Sequence, residues 1–119
     1  MQQIKSIFFS FLESVEQVSG FKGGLIVNKK GSVVADCFKD RSQVEQIAAV
    51  TFETLTYTAE FTQKGRTGQF KNILLEGAFS KVYIMALHSS GYYAAISGTK
   101  GMNVAMIRAV FEELTSEIN

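Results

Sequence analysis

The stretch from Val82 to Leu87 constrains the fold most, because all six of its residues are apolar. A strand of an antiparallel sheet with one face in water alternates apolar and polar side chains. This stretch does not alternate, so it predicts a strand, Lys81–Leu87, that is covered on both faces. A fold with cover on both faces of its sheet has three layers.

Turn and cap signals divide the rest of the chain. Glycines mark most of the breaks, since the chain contains no proline. Gly31 is expected to supply the positive φ of a hairpin loop, and Gly20 to end the first helix as a left-handed cap. Ser42 and Glu45 predict a capping box at the start of the middle helix. The predicted elements are a helix over Gln3–Val18, strands over Gly24–Asn28 and Val33–Phe38, a helix over Ser42–Gln63, strands over Phe70–Glu76, Lys81–Leu87 and Tyr92–Ser97, and a helix from an Asn103 cap to about Ile118.

These elements predict an α/β fold in the order α-β-β-α-β-β-β-α. The short turns between successive strands favour antiparallel hairpins. We therefore expect a single domain over residues 1–119: a three-layer α-β-α sandwich with a five-stranded antiparallel sheet. The first and last helices each carry one apolar stripe and are expected to share a face of the sheet. The middle helix then covers the other face alone.

The middle helix carries two apolar stripes, where one contact with its own sheet would use only one. The first stripe consists of Val44, Ile47, Ala48, Thr51, Leu55 and Ala59, and the second of Val50, Thr54, Tyr57 and Phe61. Five strands span roughly 20 Å, whereas a helix is about 10 Å wide. The second stripe therefore predicts a symmetric dimer in which two copies of this helix lie side by side. The alternative is a monomer whose loops fold over the stripe.

Composition excludes several classes of partner. The net charge of +1 gives no electrostatic basis for binding nucleic acid. No apolar run approaches the ~20 residues of a membrane helix, and the N-terminus lacks a secretory pattern, so we expect no membrane insertion. Cys37 is the only cysteine, which leaves no internal disulfide. A reducing compartment, and hence the cytoplasm, is the expected location.

No group of residues predicts catalysis, a cofactor or a metal. The only histidine, His88, lies in a predicted turn without a spaced nucleophile or carboxylate, and Cys37 in a strand suits a small packed thiol. The loops Lys64–Gly68 and Gly98–Gly101 lack the spacing of a phosphate-binding loop. The second of them precedes a helix N-terminus, which favours anions, but a plain connecting loop is the simpler interpretation.

The order of elements resembles the roadblock/dynein light chain family, which includes a bacterial polarity GTPase-activating partner. The resemblance is carried by Gly20–Gly31, Val44–Ala49, Asn72–Glu76 followed by Lys81–Ile84, and Gly101–Arg108. It implies a profilin-like sandwich that dimerises through the middle helix and third strand and serves as a non-enzymatic platform or regulator for a small Ras-like GTPase. One departure is Ala105, where glycine is frequent in the family.

The residues expected to carry this function form two sets. The dimer interface is predicted to comprise Val50, Thr54, Tyr57, Phe61, Phe70, Asn72 and Leu74. Candidate contacts to a GTPase are Lys64, Arg66, Lys71 and Glu53, although loop cations of this kind also suit a solvated rim. Two other hypotheses remain open: a small-ligand sensor with a cavity under the middle helix, and, with the least support, an enzyme.

Overall fold

The computed structural model describes residues 2–65, 71–87 and 91–118, with side chains described over 7–65, 71–87 and 91–113. It confirms the predicted order of elements and the α/β class. The elements are α1 (Gln2–Val15), β1 (Phe21–Asn28), β2 (Val33–Asp36), α2 (Arg41–Gly65), β3 (Asn72–Glu76), β4 (Ser80–Leu87), β5 (Tyr92–Thr99) and α3 (Val104–Ile118). The five strands form one sheet in the order β2-β1-β5-β4-β3, and every neighbouring pair is antiparallel.

Helices α1 and α3 share one face of the sheet, as their single stripes predict. Their apolar side chains join those of the sheet in one core, in which Phe11 and Ile107 are almost completely buried. The rings of Phe11 and Phe111 meet edge to face across the two helices, with centroids 6.5 Å apart. This aromatic contact ties the two helices to each other as well as to the sheet.

Helix α2 lies on the opposite face, over β1 and β5. Val44 packs there against a second core that contains Leu25 of β1 and Ala95 of β5. Strand β4 is buried from both sides, as its unbroken apolar run predicts. Tyr83 contributes to the core under α1 and α3, while Ile84 contributes to the core under α2.

The predicted capping box at the start of α2 is wrong. The helix begins at Arg41, so Asp40 occupies the N-cap position. Its Oδ1 accepts hydrogen bonds from the Ser42 backbone N–H at 3.0 Å and from the Ser42 hydroxyl at 2.7 Å. The Ser42 hydroxyl therefore donates to Asp40 rather than capping the helix itself. These two bonds, the hydroxyl first, lower the pKa of the Asp40 carboxyl below its usual value.

The Asp40 cap predicts a pH-dependent contribution to stability. A carboxyl with a lowered folded-state pKa stabilises the protein above its unfolded value of about 3.9, and the effect is lost as the pH falls through the folded value. We expect Asp40→Ala to lower the thermal midpoint at pH 7 by on the order of 4 °C. Thermal melts from pH 7 to pH 2.5 should show this difference shrinking below about pH 4.

Asp40→Asn is the matched control, because it keeps a capping oxygen but has no charge to lose. Its midpoint should stay near that of the wild type at pH 7. A gap between Asp40→Ala and the wild type that stays constant across the whole pH range would contradict the assigned cap.

Several bounds differ from the predicted ones by one to three residues, and the ends of α1 and β2 do so for physical reasons. Helix α1 ends at Val15, and Gly20, with φ of +86°, belongs to the turn that enters β1 instead of capping the helix. A Cβ at Gly20 would lie 2.6 Å from the Cα of Met102, so the close approach of α3's leading loop requires glycine. Strand β2 ends at Asp36 because the following Phe38 turns inward and buries its ring where a Cβ on Gly23 would lie.

Candidate protein-binding surface

The second half of α2 has little contact with its own sheet. Within the helix only Val44 and Thr51 are buried, and both lie in its first eleven residues. The second stripe is exposed: Tyr57 retains 75% of its accessible surface and Phe61 retains 69%. The monomer alternative requires loops that fold over these rings. In the described part of the chain no loop covers them.

The orientation of α2 shows which side of the helix the second stripe occupies. The Phe52 ring lies against Gly31 in the β1–β2 loop, where a Cβ would come within 2.7 Å of it. Phe61 follows Phe52 by nine residues, which is two and a half helical turns, so it lies on the opposite flank. Because α2 covers β1 and β5, this flank faces the remaining strands, β4 and β3.

The sheet surface beside that flank is apolar and only partly covered. Ile73 and Leu75 of β3 pair with Ile84 and Val82 of β4, so their side chains lie on the α2 face. Leu75 is 37% exposed, and Ile73 and Val82 are half-buried. Together with the second stripe they form a trough between α2 and the β3 edge, which we call the α2–β3 trough (Val50, Thr54, Tyr57, Phe61, Ile73, Leu75 and Val82).

Asn72 and Leu74, which are predicted to belong to the dimer interface, have their side chains on the face of the sheet opposite to α2. They pair with Met85 and Tyr83, which pack under α1 and α3. A prediction made before the register is known has no means of choosing between the two faces, because a one-residue slip exchanges them. Ile73 and Leu75, which the predicted set did not include, are the β3 residues whose side chains share a face with α2.

The backbone of Asn72 and Leu74 nevertheless points to the open edge of the sheet. Lys71 accepts a hydrogen bond from the Ala86 N–H at 2.9 Å, so Lys71 and Ala86 form a hydrogen-bonded pair. Bonding alternates along an antiparallel strand, which directs the N–H and C=O groups of residues 72, 74 and 76 away from β4. Strand β3 is an edge strand, so these groups face outward.

The two edges of the sheet differ in how well they suit pairing. Strand β2 has only four residues, and its register with β1 shifts between Ile26 and Val27. Short length and irregular register are ways in which proteins protect an edge from further strands. Strand β3 pairs with β4 over five residues without a shift, and its sequence, Asn-Ile-Leu-Leu-Glu, has no charge before its last position. Of the two edges, as far as the described residues show, the β3 edge is therefore better suited to pairing with another strand.

The candidate GTPase contacts are dispersed over the surface. Glu53 and Lys64 are exposed on α2, and Lys64 forms an ion pair with Glu60 at 3.4 Å. Lys71 is exposed directly before β3. Arg66 and the predicted interface residue Phe70 lie outside the described residues.

The described residues offer little support for a catalytic or metal-binding site. The pKa of the Cys37 thiol is raised to about 11, chiefly by burial, and the thiol donates to the Gly24 carbonyl at 3.6 Å. Among the residues with described positions, no three His, Cys, Asp or Glu side chains are grouped to hold a metal ion. In the same part of the chain no helix is long and apolar enough to cross a membrane. His88 lies outside the described residues.

The small-ligand hypothesis requires a cavity between α2 and the sheet. The side chains beneath α2 are instead packed without exposure, among them Leu25, Val27 and Ile84. An open depression of about 390 Å³ lies on α2 itself, lined by exposed side chains between Phe52 and Glu60. The cavity that would distinguish a ligand sensor is thus not found among the described residues of this core.

The fold and its open surface define the class of protein: a three-layer α/β/α sandwich with exposed apolar side chains on its lone helix and one regular sheet edge unpaired. The chain belongs to the Roadblock/LC7 family, since the model of the Roadblock/LC7 domain matches residues 10–97. A search of curated protein sequences found no match.

Solved structures with the same fold include a Roadblock/LC7 domain from Streptomyces avermitilis, at 13% identity and a TM-score of 0.78 over 92% of each chain. MglB from Myxococcus xanthus matches at 14% identity and a TM-score of 0.77, covering 98% of this chain and 91% of that one. An MglB with a tetrameric arrangement matches at 11% identity and 0.76, over 92% and 83%. At sequence identities of 11% to 14%, the similarity to these structures establishes the fold alone.

Proposed function

We propose that the chain forms a two-fold symmetric homodimer through the α2–β3 trough. The observation that carries the proposal is the position of the exposed second stripe beside a regular, unpaired strand. Two β3 edges related by a two-fold axis can pair antiparallel, because their outward N–H and C=O groups match one another. The same operation, about an axis perpendicular to the sheet, places the two α2 helices side by side on one face of the joined sheet, with the exposed β3–β4 surfaces of the two protomers between them. Tyr57 and Phe61 then serve as the aromatic anchors.

We further propose that this dimer is a non-enzymatic, cytoplasmic platform that binds and regulates a small Ras-like GTPase. Membership of the Roadblock/LC7 family and the likeness to MglB support this assignment. The tetrameric arrangement of one MglB supports self-association in proteins of this fold. Glu53, Lys64, Arg66 and Lys71 remain the candidate contacts to the GTPase.

The test is nucleotide-dependent binding. The purified chain, immobilised, is exposed to lysate of its source organism in the presence of either GDP or a non-hydrolysable GTP analogue. We expect a Ras-like GTPase to be retained in one nucleotide state more than in the other. The purified GTPase is then assayed for GTP hydrolysis and nucleotide release with and without the chain, which distinguishes activation, inhibition and simple localisation.

A matched pair of variants controls this experiment. Tyr57→Asp with Phe61→Asp disturbs the trough, whereas Phe9→Asp alters an aromatic side chain that is 54% exposed on α1 at the opposite face. Retention by wild type and Phe9→Asp but not by the double variant is expected. Failure of the wild type to retain any GTP-binding protein in either state, or to alter hydrolysis or release, would refute the GTPase assignment.

A further inference from the structure

The last ten residues of α2, Thr56–Gly65, have few apolar contacts within their own protomer. We call them the distal segment. Among the described residues of the helix, Leu55 is the last one that packs against the core beneath α2. Within the distal segment Tyr57 and Phe61 are mostly exposed, and Ala59 of the first stripe is exposed as well. The apolar contacts that hold α2 on the sheet therefore end before the distal segment begins.

Threonines take the sheet-facing positions of the distal segment. The spacing of the first stripe continues beyond Leu55 to Thr58 and Thr62, and both of these are half-buried. The Thr58 hydroxyl donates to the Thr54 carbonyl at 2.7 Å. The Thr62 hydroxyl donates to the Ala59 carbonyl at 3.1 Å. Both hydroxyls thus bond within the helix itself and make no polar link to the sheet.

The helix propensity of the distal segment is low. It contains three β-branched threonines, which lose side-chain freedom in a helix: Thr56, Thr58 and Thr62. Their hydroxyls all donate to carbonyls three or four residues back, an arrangement that slightly destabilises a helix. The exposed ion pair between Glu60 and Lys64, at 3.4 Å, contributes little. A helix of about ten residues is marginal in water, so this segment depends on packing from elsewhere.

We propose that the distal segment is a separate unit of stability, which opens in a free protomer while the rest of the fold stays intact and which dimerisation holds in the helical state. The inference rests on the proposed dimer through the α2–β3 trough. That dimer covers the exposed rings of Tyr57 and Phe61 and supplies the packing that the protomer lacks. Association then includes the cost of ordering two distal segments.

This coupling makes dimerisation a control on partner binding. Lys64, one of the candidate contacts to the GTPase, lies in the distal segment. Its position is fixed only when the segment is helical. The surface offered to the GTPase is therefore complete in the dimer and incomplete in the protomer.

Hydrogen exchange measures the opening directly. Leu74→Pro supplies the protomer for this experiment, because it blocks the β3 edge and leaves α2 unchanged. In this protomer we expect the amides of residues 59–62 to exchange about a hundredfold faster than those of residues 48–55. These ranges exclude the last turn, which frays in any helix. In the wild-type dimer the difference should shrink at least about tenfold, whereas equal protection along the whole helix in the protomer would overturn the proposal.

Two exposed alanines on α2 provide a matched pair of variants. Ala49→Gly and Ala59→Gly each weaken the helix by a similar amount, and by helical spacing neither position belongs to the second stripe. Ala59→Gly should raise the dissociation constant of the dimer about tenfold or more, since it acts on two segments that become ordered on association. Ala49→Gly lies in the part of α2 that is folded in the protomer, and should change this constant less than about twofold.

Thermal melts in the Leu74→Pro background show the reverse order. Ala49→Gly should lower the midpoint of the protomer by about 3 °C or more, and Ala59→Gly should leave it nearly unchanged. Equal effects of the two variants on the dissociation constant, measured by sedimentation equilibrium, would refute this inference and leave the proposed dimer standing. A wild type that is monomeric at every concentration would overturn the dimer and the coupling together, and sedimentation alone reveals that result.

Discussion

A chain carrying both Tyr57→Asp and Phe61→Asp should sediment as a monomer at concentrations where the wild type is a dimer, with self-association weakened by at least about a hundredfold. Aromatic anchors at the centre of an interface contribute about 2 kcal/mol or more each, and 1.4 kcal/mol corresponds to a factor of ten. Each aspartate also adds a charge that loses its hydration if the interface forms. Sedimentation equilibrium across micromolar concentrations measures the change.

Phe9→Asp is the control for this result. Its ring is exposed on α1, on the face of the sheet opposite to α2, so it should leave the dimer intact. Both variants replace exposed aromatic residues, and their circular dichroism should match that of the wild type. A wild type that is monomeric at micromolar concentration with a native spectrum would show that the second stripe does not mediate dimerisation.

Leu74→Pro should weaken the dimer by about tenfold or more while leaving each protomer folded. The N–H of residue 74 points away from β4, so proline removes a hydrogen bond only from the open edge, where it also obstructs a second strand. Size-exclusion chromatography with light scattering reports the oligomeric state, and thermal melts report the stability of the fold.

Leu75→Pro is the matched variant one position along. The N–H of residue 75 lies on the β4 side of β3, and its loss breaks a hydrogen bond within the protomer. We expect this variant to lose about 3 kcal/mol or more of unfolding free energy, or to fail to fold. If Leu74→Pro and Leu75→Pro destabilise the protomer equally, the assignment of the open edge is wrong.

Local patterns in the sequence were sufficient to predict most of the fold. The run Val82–Leu87 predicts cover on both faces, and the structure places Tyr83 and Ile84 in separate cores. The start of α2 was harder to predict, because Asp40 and Ser42 are both good capping residues. The choice between them depends on where the chain leaves β2, and just beyond β2 the ring of Phe38 packs against Gly23.

The sequence predicts the α2 residues of the candidate surface but not its β3 residues. The second stripe of α2 follows from helical spacing alone, since residues three and four apart share a flank. The β3 residues of this surface cannot be predicted from spacing, because the face on which each side chain lies depends on the register with β4. Leu74 and Leu75 are the same residue type, yet the Leu74 side chain lies on the face covered by α1 and α3, and the Leu75 side chain lies on the face covered by α2.

The sequence by itself determined the number, type and order of the elements and the surplus apolar surface of α2, because these properties depend on periodicity within short segments. Only the tertiary structure decided which strands lie at the edges, which β3 side chains face α2 and which flank of α2 stays open. These depend on pairing between segments distant in the chain, such as β1 with β5, and no local pattern encodes that pairing.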